Sequence, residues 1–178
     1  MPEQTNSVAL SSRAFAFPLN VYARLLELED GRADYLHYGL FDNAQMTAGA
    51  AQRQASELLW RHLPPPCKLL DVGLGLGTTL SRLLGVGYDA TGITPDATQI
   101  TFAQGRHGPG LPVLPLRFEN FDRDAGTWQT ILFQESGQYI DDIDLFANAA
   151  RLLDENGEIV VMDEFSLVRD RDEPEHLH

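Results

Sequence analysis

Cysteine is nearly absent from this chain. Cys67 is the one cysteine in 178 residues, so an internal disulfide framework and a multi-cysteine zinc site are both excluded. Long apolar runs are missing as well. No stretch of about 18 consecutive apolar residues occurs, which excludes a transmembrane helix. The opening residues, Met1 to Ser7, are polar and lack the basic-then-apolar order of a secretory leader, so a cytoplasmic location is expected. Basic side chains are scarce. Lys and Arg number 13 against 26 Asp and Glu, for a formal net charge of −13 and a pI of about 4.6. A phosphate backbone would be repelled on average, which makes nucleic acid a poor default partner. His62, His107, His176 and His178 show no metal-ligand spacing, and no metal site is expected. What the chain does have is an apolar content of 43%. That is too much for a disordered chain and enough for one domain with a core of useful size. The tail from Arg169 to His178 reads as charged and loose.

Two kinds of organisation follow one another. Residues 1–63 read as a helical cap segment. A first helix from about Phe17 to Glu29 carries Val21, Leu25, Leu26 and Leu28 close to a helical stripe, and Gly31 is its stop. The aromatic, glycine-containing stretch from Asp34 to Asn43 reads as an irregular loop. A second helix from about Thr47 to His62 places Ala51, Ala55, Leu58, Leu59 and His62 at three- to four-residue spacing, and Pro64-Pro65-Pro66 ends it. From residue 64 to 178 the pattern changes. Strands are predicted at Lys68–Val72, Asp89–Ile93, Pro112–Leu116, Trp128–Phe133 and Gly157–Met162, with helices at Thr78–Leu84, Thr98–Gln104 and Asp144–Leu153. Continuous apolar strands alternating with helices predict an α/β domain with a mostly parallel sheet and flanking helices. Cys67 reads as a packing residue at the start of the first strand.

The most informative stretch is LLDVGLGLG, Leu69 to Gly77, followed by Thr78 and Thr79. A buried strand runs into a glycine turn and a helix follows. Glycine lets the backbone take positive φ and lets a ligand approach without a Cβ in the way. The helix start adds free N–H groups and partial positive charge. Gly73, Gly75 and Gly77 are spaced G-x-G-x-G, whereas the dinucleotide fingerprint is G-x-G-x-x-G. An ordinary tight strand-to-helix turn would also use glycines here.

This stretch resembles the first motif of class I S-adenosylmethionine-dependent methyltransferases, (V/L)LD(V/I)GxGxG. The resemblance implies a Rossmann-like fold, with Asp71, Gly73, Gly75 and Gly77 against the methionine portion of the cofactor. Further segments fall in register. Gly92, Thr94 and Gln99 match the G-x-T-x-S-x-x-Q of a narrower group similar to cyclopropane-fatty-acid synthases and related small-molecule methyltransferases, with Asp96 in place of the serine. That match implies that Thr94 and Gln99 hydrogen-bond the ribose hydroxyls, which a neutral hydroxyl and amide can do. Thr94 and Asp96 also suit helix capping, and the two roles are compatible. Phe118-Glu119-Asn120-Phe121 resembles the group's W-E-(D/N)-F, which puts Phe118 on the adenine face and Glu119 at its edge. The alternative is that Phe118 and Phe121 fill the core. Gln134, at the end of the fourth strand, joins the implied cofactor-binding residues. His37-Tyr38-Gly39-Leu40-Phe41, then Ala51-Gln52, resembles the HYG(Y/L)W…AQ pattern that caps the pocket in this group, with Tyr38 near the methyl donor. The resemblance runs from about Asp34 to Phe165.

The activity so implied is transfer of a methyl group from S-adenosylmethionine to a small-molecule acceptor, leaving S-adenosylhomocysteine. Glu135 is the first candidate general base and His37 the second, on position alone, and Tyr139 joins Tyr38 along the transfer path. Tyr139 stands where many relatives carry a histidine. Methylene transfer of the cyclopropane type ranks lower, because the Glu-His-x-Gly sequence of that subgroup is absent from the fourth-strand segment. The Asn/Asp-Pro-Pro-Tyr motif of nucleic-acid and protein amide methyltransferases is absent too. Relatives continue past the fifth strand with a helix and two more strands, for which thirteen residues after Phe165 are too few. The expectation is therefore either a piece of a longer enzyme, binding the cofactor without transfer on its own, or a homo-oligomer that covers the fifth-strand edge. A nicotinamide-dependent dehydrogenase is disfavoured by the glycine spacing and by Thr94 where an acid would hold the ribose.

Overall fold

The structure is a computed structural model and describes residues 14–165. Met1 to Ser7 and the tail from Arg169 lie outside the described residues. Two helices lead, α1 (Leu19–Asp30) and α2 (Ala48–His62). Strands and helices then alternate as β1 (Lys68–Val72), α3 (Thr78–Gly85), β2 (Asp89–Ile93), α4 (Ala97–His107), β3 (Val113–Leu114), β4 (Trp128–Gln134), α5 (Asp142–Leu152) and β5 (Leu153–Met162). The five strands form one sheet in the order β3-β2-β1-β4-β5, every pair parallel. This is the α/β arrangement expected from the sequence.

Burial on both faces explains the continuous apolar strands. Alternate side chains of a strand point to opposite faces. Leu70 and Val72 of β1 and Ile131 and Phe133 of β4 pack with Leu145, Ala149 and Leu152 of α5. Leu69 and Leu132 turn the other way, onto Leu59 of α2, Leu80 and Leu83 of α3 and Ala103 of α4. Two apolar layers therefore clamp the strands whose ends build the cavity described below. Among the described residues no helix is long and apolar enough to cross a membrane.

Several expectations need correction. The α1 stripe is the first. Ala23 and Leu26 are its buried residues, whereas Val21, Leu25 and Leu28 are exposed. Two apolar faces compete on this helix. The core takes the face of Leu19, Tyr22, Ala23 and Leu26, packed with Phe15, Ala33, Leu76 and Phe102. On α2 the buried face is mostly small or polar, with Gly49, Ala51, Gln52, Ala55 and Ser56 beside Leu59, while Leu58 and His62 of the expected stripe are exposed. Strand β3 shrinks to two residues because Pro112 and Pro115 bracket it and cannot donate to a ladder. Helix α5 starts at Asp142 rather than Asp144, since the Asp141 carboxylate accepts from the Ile143 N–H at 3.0 Å. It passes straight into β5. Trp128 pairs with Leu153 and Thr130 with Glu158, so the residues between bulge out, with Asp154 accepting from the Asn156 N–H at 2.9 Å.

Candidate functional site

The chain runs outward from β1 to β2 and β3 on one side and to β4 and β5 on the other. Loops diverging at such a switch point leave a crevice beyond the carboxyl ends of the strands. A cavity of about 280 Å³ occupies it. Its wall takes Asp71 to Leu76 from the end of β1, Thr94 to Asp96 from β2, Leu116 to Glu119 after β3 and Gln134 to Ser136 from β4, and Asp34 to His37 come from the amino-terminal segment.

The glycine loop is left-handed at Gly73, Gly75 and Gly77, with φ of +77°, +55° and +76°. The leucines between them are anchors: Leu74 is buried in the layer under α3, and Leu76 in the α1 cluster. Two of the glycines are also demanded by space. A Cβ on Gly73 would stand 2.5 Å from the Ser136 Cβ, and one on Gly77 would stand 2.8 Å from the Ala103 Cβ of α4. Ser136 comes that close because its hydroxyl donates to the Val72 carbonyl at 2.5 Å. Gly77 therefore serves helix packing. It lies outside the cavity wall, unlike the sequence-based expectation.

At β2 the Thr94 hydroxyl, nearly buried, donates to Gln99 Oε1 at 3.1 Å, and both residues line the cavity. Asp96 is the cap of α4, accepting from the Thr98 N–H at 2.7 Å. Capping and a polar cavity wall thus coexist within six residues. Phe118 is both core and wall: it stacks edge-on to Phe133 at 5.1 Å and lines the cavity. Glu119 beside it is exposed at the rim, and Phe121 is wholly core.

Two polar atoms in the wall are buried without a partner among the described residues, Asp71 Oδ2 and Gln134 Nε2. Burial pushes the Asp71 carboxyl up to about 7. Gln134 is oriented by the Thr79 hydroxyl, which donates to its Oε1 at 2.8 Å. An unanswered acceptor and an unanswered donor in one crevice fit a ligand carrying both signs of charge.

His37 has both ring nitrogens engaged. Nδ1 lies 2.5 Å from the Tyr38 carbonyl and so carries the proton, which leaves Nε2 to accept from the Ser56 hydroxyl at 3.3 Å. Burial holds its pKa down to about 4. Glu135 is a non-glycine residue at φ +52°, a conformation that costs about 1–2 kcal/mol. Its Oε2 accepts from the Tyr38 N–H at 2.7 Å. Burial raises its pKa, with Asp163 and Glu164 adding to the rise and the Tyr38 N–H opposing it. Tyr139 lines the cavity at its rim, with its side chain largely exposed.

Eleven of the thirteen residues singled out from the sequence thus meet in one cavity. Gly77 and Tyr38 are the two outside it. The Tyr38 ring is exposed and packs edge-on to Tyr22, at 6.3 Å. Only its backbone takes part, through Glu135. Asp34, Leu36, Thr79, Leu116 and Ile140 also line the cavity and were missed. Thr79 directly follows the glycine loop, which is a usable signal. The others lie in stretches without local motifs.

No family model matches the chain, and no curated protein does. Solved structures do match. One is a geranyl diphosphate methyltransferase in complex with GPP and sinefungin, 24% identical, with a TM-score of 0.63 over 86% of this chain and 63% of that one. The fold is Rossmann-like, of the methyltransferase kind. A protein of Galdieria sulphuraria described as a sarcosine dimethylglycine methyltransferase matches at 20% identity and a TM-score of 0.68, over 79% of this chain and 58% of that one. The [4+2]-cyclase SpnF matches at 20% identity and a TM-score of 0.66, over 79% and 56%. This chain spans less than two thirds of each of these proteins. The cyclase is a reminder that one fold hosts more than one chemistry.

Proposed function

We propose that the cavity binds S-adenosylmethionine and that the chain directs its methyl group to a small-molecule acceptor, with S-adenosylhomocysteine as product. The observation that carries this reading is the convergence on one crevice of a left-handed glycine loop, the Thr94–Gln99 pair, the Phe118 face and the unpartnered Asp71 and Gln134 atoms. Each suits a different part of the cofactor. Asp71 and Gln134 would take its amino-acid end, Thr94 and Gln99 its sugar hydroxyls, and Phe118 its base.

When bound, the cofactor supplies a methyl group already activated on a sulfonium. The chain's own work is to bind, align and exclude water, and alignment alone can supply several kcal/mol. Leu36, Leu116 and Ile140 give the cavity its apolar wall. Where the acceptor must lose a proton, Glu135 is the proposed base. It lines the cavity, and its raised proton affinity moves it toward the working pH of a general base. His37 is the weaker candidate, because its nitrogens are already held by Tyr38 and Ser56.

Calorimetry and thermal melting with S-adenosylhomocysteine, with NAD as comparison, test the reading. The product analogue is expected to bind with measurable heat and to raise the melting temperature by mass action, and NAD to do neither. Stabilisation by NAD alone would replace the proposal with a dinucleotide site. A second reading, cofactor binding without transfer, is favoured by one observation: the chain spans 63% of the length of the geranyl diphosphate methyltransferase it matches. It predicts binding with no methyl transfer to any acceptor.

A further inference from the structure

We infer that Gln52 is a positioning residue for this site, holding the Tyr35–His37 backbone that forms one wall of the cavity. The inference rests on the proposed function, since its readout is cofactor-product binding. Residues 31–47 form no helix or strand, so their backbone polar groups need partners from elsewhere. Side chains of the surrounding elements provide them. Arg106 donates to the Ala33 carbonyl and the Thr78 hydroxyl to the Asp34 carbonyl, each at 2.5 Å, and Glu135 accepts from the Tyr38 N–H.

Gln52 holds the centre of this span. It is 1% exposed, and the cavity wall does not include it. Its Nε2 lies 2.5 Å from the His37 carbonyl, 3.3 Å from the Tyr35 carbonyl and 3.1 Å from the Tyr22 hydroxyl, which itself donates to the His37 carbonyl at 3.2 Å. The amide orientation is forced. Turned over, it would set Oε1 against two carbonyl oxygens. In the observed orientation Oε1 is buried without a partner among the described residues. The amide thus leaves its own acceptor unanswered in order to give both donors to the loop. The loop lies tightly on the same helix: a Cβ on Gly39 would overlap Ala51 and the Gln52 backbone nitrogen. Tyr35, Leu36 and His37 line the cavity. Thr78 and Glu135 line it themselves, so their loss would confuse direct contact with positioning. Gln52 acts on a ligand only through the loop.

The test uses the full chain, calorimetry with S-adenosylhomocysteine, and melting curves. Gln52→Met keeps the length and removes both donors. It is expected to raise the Kd about tenfold, as the competent loop position loses population. Tyr22→Phe deletes one hydroxyl of the same network and is expected to raise it about threefold, which keeps the inference testable if Gln52→Met does not fold. Gln52→Glu places a carboxylate against the carbonyls, and its affinity relative to wild type is expected to recover on acidification, as protonation returns one donor. Leu59→Ala on the same helix supplies the contrast. Leu59 packs in the sheet core, away from the loop, so this variant melts earlier while its Kd stays within about twofold of wild type. A wild-type Kd in both Gln52→Met and Tyr22→Phe overturns the inference, and so does an equal loss of affinity in Leu59→Ala. Wild-type protein without affinity for the product shows instead that the reading of the site has failed, and the inference falls with it.

Discussion

Asp71 and His37 are buried titratable groups of opposite sign, and together they make a pH experiment with a definite direction. Burial moves the Asp71 carboxyl from its ordinary 3.8 up to about 7. The folded protein then keeps a proton through a window in which the unfolded chain has lost it. Stability from this group is highest below the window and is lost as pH rises through about 7. At about 1.4 kcal/mol per pH unit the whole loss is roughly 4 kcal/mol. His37 works the other way. Burial takes it from 6.5 down to about 4, so the unfolded chain gains a proton first on acidification, and stability falls as pH drops below 6.5. In wild-type protein the two slopes cancel between pH 5.5 and 6.5. Variants unmask them. Urea unfolding followed by circular dichroism from about pH 5.5 to 8 stays clear of the pI near 4.6. The stability of Asp71→Asn relative to wild type is expected to rise by roughly 2 kcal/mol from the acid to the basic end. That of His37→Asn is expected to rise by roughly 1 kcal/mol in the opposite direction, toward acid. Relative curves flat to within about 0.5 kcal/mol for both variants would refute the assignment of these two groups as buried and shifted.

Other substitutions probe the wall more directly. Gly73→Ala combines a left-handed φ of +77° with a Cβ 2.5 Å from Ser136, and should cost about 3 kcal/mol or more in chemical denaturation. The double variant with Ser136→Gly should recover only part, because the backbone strain stays. Thr94→Val removes the hydroxyl that faces Gln99 and is expected to weaken S-adenosylhomocysteine about tenfold in calorimetry, with a stability change near 1 kcal/mol. Once an acceptor is found, Glu135→Gln should slow turnover at saturating substrate by about a hundredfold; full turnover would remove Glu135 from the base role.

The parts of the fold that were legible in the sequence are those where local chemistry and tertiary position agree. Lys68–Val72 and Asp89–Ile93 are strands at their expected bounds because they lie inside the sheet and end in turn residues. The glycine loop was legible because positive φ leaves few alternatives to glycine. Legibility fails where several answers satisfy the same local rule. Helix α1 offers two apolar faces, and only contact with Phe15, Ala33 and Phe102 decides which is buried. Gly77 looks like its neighbours in the loop, yet the partner that requires it is Ala103, a helix away. Tyr38 acts through its backbone, which carries no side-chain signature. The wall from Asp34 to His37 is set by side chains from α1, α2, α3, α4 and the end of β4, so no window of the sequence contains its cause.

The Asp71 carboxyl, whose Oδ2 has no partner among the described residues, also bears on function. A protein gains nothing in stability by burying an ionisable group without a partner, and Asn or Leu at this position would remove the penalty. Such a group makes physical sense where a ligand supplies the missing donor, since strongly shifted acids gather at functional sites. A cationic or donor group placed against Asp71 would lower its pKa again. Binding near neutral pH would then release a proton from a carboxyl that the ligand-free protein holds to about 7. Calorimetry of S-adenosylhomocysteine in buffers of different ionisation enthalpy counts that proton. The release is expected to approach about one proton per ligand near pH 6, to shrink toward pH 8 where Asp71 has already ionised, and to vanish in Asp71→Asn. An unchanged proton count in the variant would mean that the ligand's charge is met elsewhere in the crevice, and that Asp71 is a buried acid without a part in binding.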